Sequence, residues 1–140
     1  MHLRTLLALR PTEIRLLAAA LPLVAATRAA LCVLPSRSIV RGVAKLPAHP
    51  APPSTATATP AEVAWAVEAA SRLVPGATCL TQAVAARLLL HRHGHAAELC
   101  VGVGHYDHGG FRAHAWVEHR GRVLLGGSSS LALARMPAWK

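Results

Sequence analysis

The sequence predicts an α+β fold in which helices come first and a small antiparallel sheet last, and three observations predict it. Up to about His93 apolar residues recur at three-to-four spacing, the period of a helix with one buried face. Beyond Gly94 the period falls to two, as in strands with one face on a core. Between the first helical stretch and the rest lies a Pro/Ala/Thr tract at 47–60, a composition that holds neither helix nor core and reads as a linker. The expected organisation is therefore an N-terminal helical segment over 1–46, the linker, and a core domain over 61–140.

The first element draws on a basic start followed by a Leu/Ala-rich run. Ile14, Leu17, Ala18, Leu21, Val24 and Ala25 fall at helical spacing and are predicted to pack on a neighbour. The uncharged stretch from Leu16 to Thr27 is twelve residues, bracketed by Arg15 and Arg28 and containing Pro22. That is short for a bilayer span, so the segment reads as an amphipathic helix rather than a signal peptide or an anchor. Its cationic rim makes contact with a membrane surface a second reading of the same helix.

After the linker, Thr59 is placed to cap a helix, with Pro60 at its first position and Glu62 three residues past the cap. Val63, Ala66, Val67 and Ala70 form its apolar stripe, and Pro75-Gly76 ends it. A second helix runs from Cys79 to about His93, with Leu80, Ala83, Val84 and Leu88 inward and Gly94 as its left-handed stop. Ala97, Leu99, Val101 and Val103 then alternate along one strand, and Phe111, Ala113, Ala115 and Val117 along another, with His114, Trp116 and Glu118 on its opposite face. The turn His119-Arg120-Gly121-Arg122 leads to a third strand at Val123-Leu124-Leu125.

A chain of 140 residues with 53% hydrophobic content has enough apolar material for a core, which excludes disorder throughout. Fifteen Lys+Arg against six Asp+Glu give +9, spread as scattered arginine rather than as one block, so the charge describes a cationic surface suited to acidic partners. Without a dense basic run, interleaved aromatics or a recognisable module, nucleic acid is not the expected partner. Three cysteines at non-motif spacings fit a reducing cytoplasm, with Cys32 and Cys100 expected as small buried hydrophobes.

Cys79 is different, because it follows the breaker Pro75-Gly76-Ala77-Thr78 and opens a helix. Free N–H groups and the positive end of the dipole at a helix N-terminus favour a thiolate, the nucleophilic form of the group. His114, on a strand between two alanines, is the candidate base, and a cysteine hydrolase is the leading reading. The backbone N–H of Cys79 is a candidate oxyanion donor and Gln82 a weaker second one. For the group that orients the histidine, Glu118 shares its strand face and Asp107 lies in the preceding loop, with a backbone carbonyl or water as further options. His91, His93 and His95, with His105 and His108, invite a zinc reading, but they straddle a helix end without a closed-site spacing, so no metal and no cofactor is expected. Gly102-Val103-Gly104 lacks the rest of a phosphate loop.

Val74-Pro75-Gly76-Ala77-Thr78-Cys79-Leu80-Thr81-Gln82-Ala83, then Leu99-Cys100-Val101-Gly102-Val103 after Gly94, then Phe111-Arg112-Ala113-His114-Ala115-Trp116-Val117-Glu118, resembles the leader peptidase of lasso-peptide biosynthesis. That family belongs to the transglutaminase-like cysteine protease superfamily. The resemblance covers about 61–127, and the segment from Glu13 to Leu46 is similar to the family's N-terminal part. It implies a transglutaminase/papain-like core with Cys79 as nucleophile at a helix N-terminus and His114 as general base. It also implies cleavage of a ribosomally made precursor at the end of its leader, so that a partner cyclase can use the freed amine. Where some members carry a third catalytic Asp, this chain has Gly126, which implies a dyad or an orienter from elsewhere. Nothing before the linker resembles the family's leader-recognition module, so the resemblance implies a stand-alone peptidase served by a recognition protein in trans. Within the same fold the alternative is an acyltransferase or amidase, and outside enzymes a membrane-surface scaffold of a biosynthetic complex.

Overall fold

The computed structural model describes residues 8–47, 58–105, 109–127 and 134–135. Among these residues it has helices α1 (Pro11–Val33), α2 (Ser36–Ala44), α3 (Pro60–Ser71) and α4 (Cys79–Arg92). They precede strands β1 (Glu98–His105), β2 (Phe111–His119), β3 (Arg122–Leu125) and β4 (Ala134–Arg135). The sheet is antiparallel in the order β3-β2-β1-β4, so the α+β class read from the sequence holds. Strand β4 was not anticipated; two residues pairing Val103 and Gly102 carry too little pattern to be seen beforehand. Most of the 47–60 tract lies outside the described residues, as do Asp107 and His108.

Helix α1 differs from expectation in length and in face. Glu13 accepts the Arg10 backbone N–H at 2.7 Å and Pro11 takes the first helical position, which closes the N-terminus. The helix then runs 23 residues straight through Pro22. Charged Arg15 and Arg28 lie within it, so the twelve-residue limit does not hold. At 1.5 Å per residue such a helix is roughly 34 Å long, and by length and composition it could cross a membrane. The buried stripe is Leu16, Ala20, Val24 and Thr27, whereas Ile14, Ala18 and Ala25 are exposed. A helix that is apolar nearly all round gives no direction, so packing chooses the face; Thr27 can be buried because its hydroxyl donates to the Leu23 carbonyl at 2.8 Å.

Helix α3 begins as the sequence predicts. Thr59 Oγ1 accepts the Glu62 N–H at 3.3 Å, and the Glu62 carboxylate accepts the Thr59 N–H at 2.8 Å. These bonds, the backbone one first, hold the Glu62 carboxyl below its ordinary range. Val63, Ala66, Val67 and Ala70 are all fully buried. They share one core with Leu16, Ala20 and Val24 of α1, Leu89 and Leu90 of α4, and Ala115, Val117 and Leu125 of the sheet. The pairs Leu99↔Val117 and Val101↔Ala115 put the core side chains of β1 and β2 on one sheet face, while Cys100↔Trp116 and Glu98↔Glu118 occupy the other. The β2–β3 turn is a tight hairpin with Arg120 (φ 51°) and Gly121 (φ 76°) both left-handed.

Two ties outside the core were not foreseen. Arg87, only 4% exposed, donates from Nη2 to the Leu46 and Pro47 carbonyls at 3.4 and 3.3 Å, fastening the end of the N-terminal segment to α4. Burial pulls its guanidinium below the usual arginine range. At the other end of α4, His93 Nδ1 accepts the Ala58 N–H at 3.4 Å and His95 Nε2 meets the Ala58 carbonyl at 2.6 Å.

Candidate active site

Cys79 owes its position to the residue before it. Thr78 is the N-cap of α4: its Oγ1 accepts the Thr81 N–H at 3.3 Å, while Thr81 Oγ1 accepts the Thr78 N–H at 3.2 Å. This reciprocal box fixes the helix start, so Cys79 is the first helical residue and its N–H is one of those that the helix leaves without an internal partner. Thr81 is fully buried, so the box sits on a rigid base. The approach is held too: Gly76, at φ +73°, packs so tightly on Arg28 that a Cβ there would lie 2.9 Å from its guanidinium. Arg28 Nη1 in turn donates to Cys32 Sγ at 3.0 Å. Cys32 is exposed and serves as an acceptor on the surface of α1, which corrects its reading as a buried hydrophobe; Cys100 is buried as expected.

His114 stands on β2, and Cys79 and His114 together border two cavities that also share Ala115. The first, about 490 Å³, is walled by Pro35, Val40, Leu80, Val101 and Ala113, with Ser36 and Arg37 beside them. The second, about 590 Å³, is walled by Glu68, Ser71, Arg72, Gln82, Gly126 and Gly127. Among the described residues no hydrogen bond joins the Cys79 sulfur to the imidazole. Catalytic contacts are commonly long before a substrate is bound.

The orientation of His114 comes from the main chain. Its Nε2 lies 2.8 Å from the Gly126 carbonyl. A carbonyl can only accept, so Nε2 carries the hydrogen and the neutral ring keeps its lone pair on Nδ1. The position where a third acidic residue was looked for thus supplies its backbone oxygen instead. Gly126 adopts φ +85°, and a Cβ there would meet the Ala115 carbonyl oxygen and Trp116 Cβ at 3.0 Å, so only glycine brings that oxygen to the ring without strain. The Trp116 ring lies stacked beside the imidazole with centroids 6.4 Å apart, and its Nε1 donates to Glu118 at 2.8 Å. Glu118 therefore positions the indole, not the histidine. Gln82 borders the second cavity with Cys79, whereas Asp107 lies outside the described residues.

Among the described residues the histidines at the end of α4 bring no three ligand atoms together. His93 and His95 hold Ala58, His119 Nδ1 meets the Ala96 carbonyl, and His91 Nδ1 is buried without a partner. Among the described residues the one set of side chains with ligand atoms mutually within 4.8 Å is Glu98, Cys100 and Glu118. It lies on the sheet face away from the core and already holds the indole hydrogen bond.

Sequence reading placed Trp116 on the face of His114 and allowed a backbone carbonyl as its orienter, but missed three contributors: Thr78 as the cap, Gly126 as the residue that supplies the carbonyl, and the wall formed by Pro35 and Val40. Thr78-x-x-Thr81 is a weaker form of the capping box and could have been found; a backbone oxygen leaves no side-chain signal.

Residues 19–136 match the family model described as the transglutaminase-like superfamily, a span that runs from within α1 through the 47–60 tract to β4. No curated protein and no solved structure matches the chain.

Proposed function

The chain belongs to the transglutaminase-like superfamily, whose members are typically cysteine-dependent enzymes and include cysteine peptidases, and from that premise we propose that it is a thiol peptidase which removes the leader from a ribosomally made lasso-peptide precursor. The observation that carries the reading is Cys79 at the first position of α4 bordering the same two cavities as His114. Cys79 Sγ attacks the scissile carbonyl carbon, and the helix-start N–H groups face the oxyanion as it forms. His114 takes the thiol proton on Nδ1 and returns it to the departing amine as the C–N bond breaks. Water then attacks the thioester, gives a proton to the same nitrogen, and releases the carboxylate and the thiol.

In this reading the chain works in the cytoplasm or at the inner face of a membrane. A recognition protein in trans delivers the leader, and a cyclase uses the freed amine. The cationic surface suits docking on an acidic leader or recognition protein, and α1 is the candidate for lipid contact. The test mixes purified protein, precursor and recognition partner and weighs the products. Two fragments whose masses sum to the precursor plus one water support the reading, provided that Cys79→Ala, folded by circular dichroism, gives none. Unchanged cleavage by Cys79→Ala refutes it, and an amine-joined product in place of the hydrolysed one assigns an acyltransferase.

A further inference from the structure

Helix α2 goes against two preferences of helix electrostatics, and it does so at the edge of the site. Arg37, Arg41 and Lys45 recur every four residues, so they share one face of the helix, and all three are exposed. Like charges at that spacing weaken a helix. Arg37 stands in the first turn, which holds no acidic residue and carries the positive end of the helix dipole, where a cation is unfavourable. The sequence around them supplies no counter-charge: between Glu13 and Glu62 it has Arg15, Arg28, Arg37, Arg41 and Lys45 and no Asp or Glu. Packing does not call for the stripe either, because α2 is held by Val40 and Val43, which are buried. A local preference set aside without gain to the fold points to function.

The stripe starts beside the nucleophile. Ser36 and Arg37 border the cavity of about 490 Å³ that Cys79 and His114 also border, and Arg41 and Lys45 continue from Arg37 along the exposed face of α2. At a rise of 1.5 Å per residue, successive cations are about 6 Å apart along the axis. In an extended peptide, alternate side chains point the same way and repeat about every 6.5 Å. Resting on the peptidase reading above, we propose that the exposed face of α2 is a substrate-docking surface that takes an extended acidic segment of the peptide, with carboxylates at alternate positions, and leads the adjoining residues into the Cys79 cavity. Each exposed ion pair is weak and screened by salt, but three in register also raise the local concentration of an acidic chain. A lipid surface is the other anionic partner such a stripe could meet. A row of cations that begins at the wall of the site favours the chain that must enter that site.

The experiment uses the full chain and two peptides that alkylate thiols, iodoacetyl-Gly-Gly followed by Glu-Ser-Glu-Ser-Glu amide or by the same tail with glutamine for glutamate. The flexible Gly-Gly lets the tail lie on α2 from either direction of approach. Rates of labelling at Cys79 and at the exposed Cys32 are followed by peptide mass mapping. We expect the acidic tail to label Cys79 about fivefold faster than the glutamine tail at low salt, a larger gain than at Cys32. The gain should vanish in about 0.5 M sodium chloride and in the variant Arg37→Gln/Arg41→Gln/Lys45→Gln. If that variant does not fold, Arg37→Gln/Lys45→Gln should lose most of the gain and decides instead. Equal rates for the two tails at Cys79, an equal gain at Cys32, or a gain that survives the loss of the cations overturns the docking surface. Sedimentation with phosphatidylglycerol vesicles that needs the three cations, without any preference between the tails, overturns it too and assigns the stripe to lipid. In all these cases the peptidase reading stands as long as the glutamine-tailed reagent labels Cys79 faster than Cys32; labelling of Cys79 no faster than Cys32 overturns that reading, whatever the tails do.

Discussion

Gly126→Asp puts a carboxylate where a third catalytic acid was sought, and the structure predicts that it damages the site rather than completing it. The backbone at this position has φ +85°, and placing a side chain in the left-handed region costs about 1–2 kcal/mol. The new Cβ would lie 3.0 Å from the Ala115 carbonyl oxygen, 3.0 Å from Trp116 Cβ and 3.2 Å from Trp116 Cα. These are main-chain and near-main-chain atoms of two strand residues, each only 3% exposed, so they cannot swing aside as a flexible side chain could. Forcing atoms into such a place costs about 1–3 kcal/mol more. The sum, about 2–5 kcal/mol, lowers the thermal midpoint by roughly 6–20 °C for a domain of this size. Relief by moving β3 away carries the Gly126 oxygen off His114 Nε2, so cleavage falls along with stability. Gly126→Ala, which adds the same Cβ without the charge, separates the causes: both variants should lose similar stability in thermal unfolding and similar rate in the cleavage assay. A Gly126→Asp protein as stable as the parent, or one that cleaves faster than both parent and Gly126→Ala, refutes the reasoning and restores a side-chain orienter.

Thr78→Ala removes the cap that sets the start of α4 and should cost about 1 kcal/mol in denaturant unfolding; it should also slow labelling of Cys79 several-fold, while Thr78→Ser restores both. Leu89, 1% exposed at the centre of the core, should lose about 2–5 kcal/mol on truncation to alanine, read as an earlier denaturant midpoint with unchanged slope. His93 is held below its ordinary range by burial first, then by the neighbouring His95 and Arg92, and its Nδ1 must be unprotonated to accept the Ala58 N–H. The folded state therefore binds that proton less readily than the unfolded one. Its stabilising contribution is full above the unfolded value of about 6.5 and is lost as pH falls from there through the lowered folded value. Thermal midpoints measured from pH 7.5 down to 5 should fall less steeply in His93→Asn, whose Oδ1 keeps the acceptor, and an unchanged slope counts against this role.

Legibility in the sequence followed what each residue type can signal by itself. Thr59-Pro60-x-Glu62, the Pro75-Gly76 break, Gly94 and the change of period after it placed α3, α4 and the first three strands, because caps, breakers and alternation are local. Cys79 at a helix start and His114 on a strand were legible for the same reason. The face of α1 was not, since Leu and Ala surround that helix and only tertiary packing distinguishes Leu16, Ala20 and Val24 from Ile14, Ala18 and Ala25. Pro22 reads as a breaker, yet the helix passes through it. Cys32 looked buried because its neighbours in sequence are apolar, but its place on the α1 surface is set by the helix's rotation.

The main-chain orienter has a chemical consequence that a side-chain one would not. A carboxylate both fixes the tautomer of a histidine and stabilises the imidazolium that forms when the thiol gives up its proton, whereas the Gly126 carbonyl offers the first service fully and the second only through its dipole. The start of α4 acts on the other member of the ion pair: the free N–H groups at the capped helix N-terminus stabilise the Cys79 thiolate. The site therefore depends on two backbone features, one helix terminus and one left-handed glycine, more than on a third ionisable side chain. Because main-chain dipoles cannot titrate, the carbonyl itself gives up no proton and changes no charge as pH varies. On this geometry no acid-side loss of activity arises from the orienter, and a Glu68→Gln protein that folds but loses cleavage would point to Glu68 at the cavity wall instead.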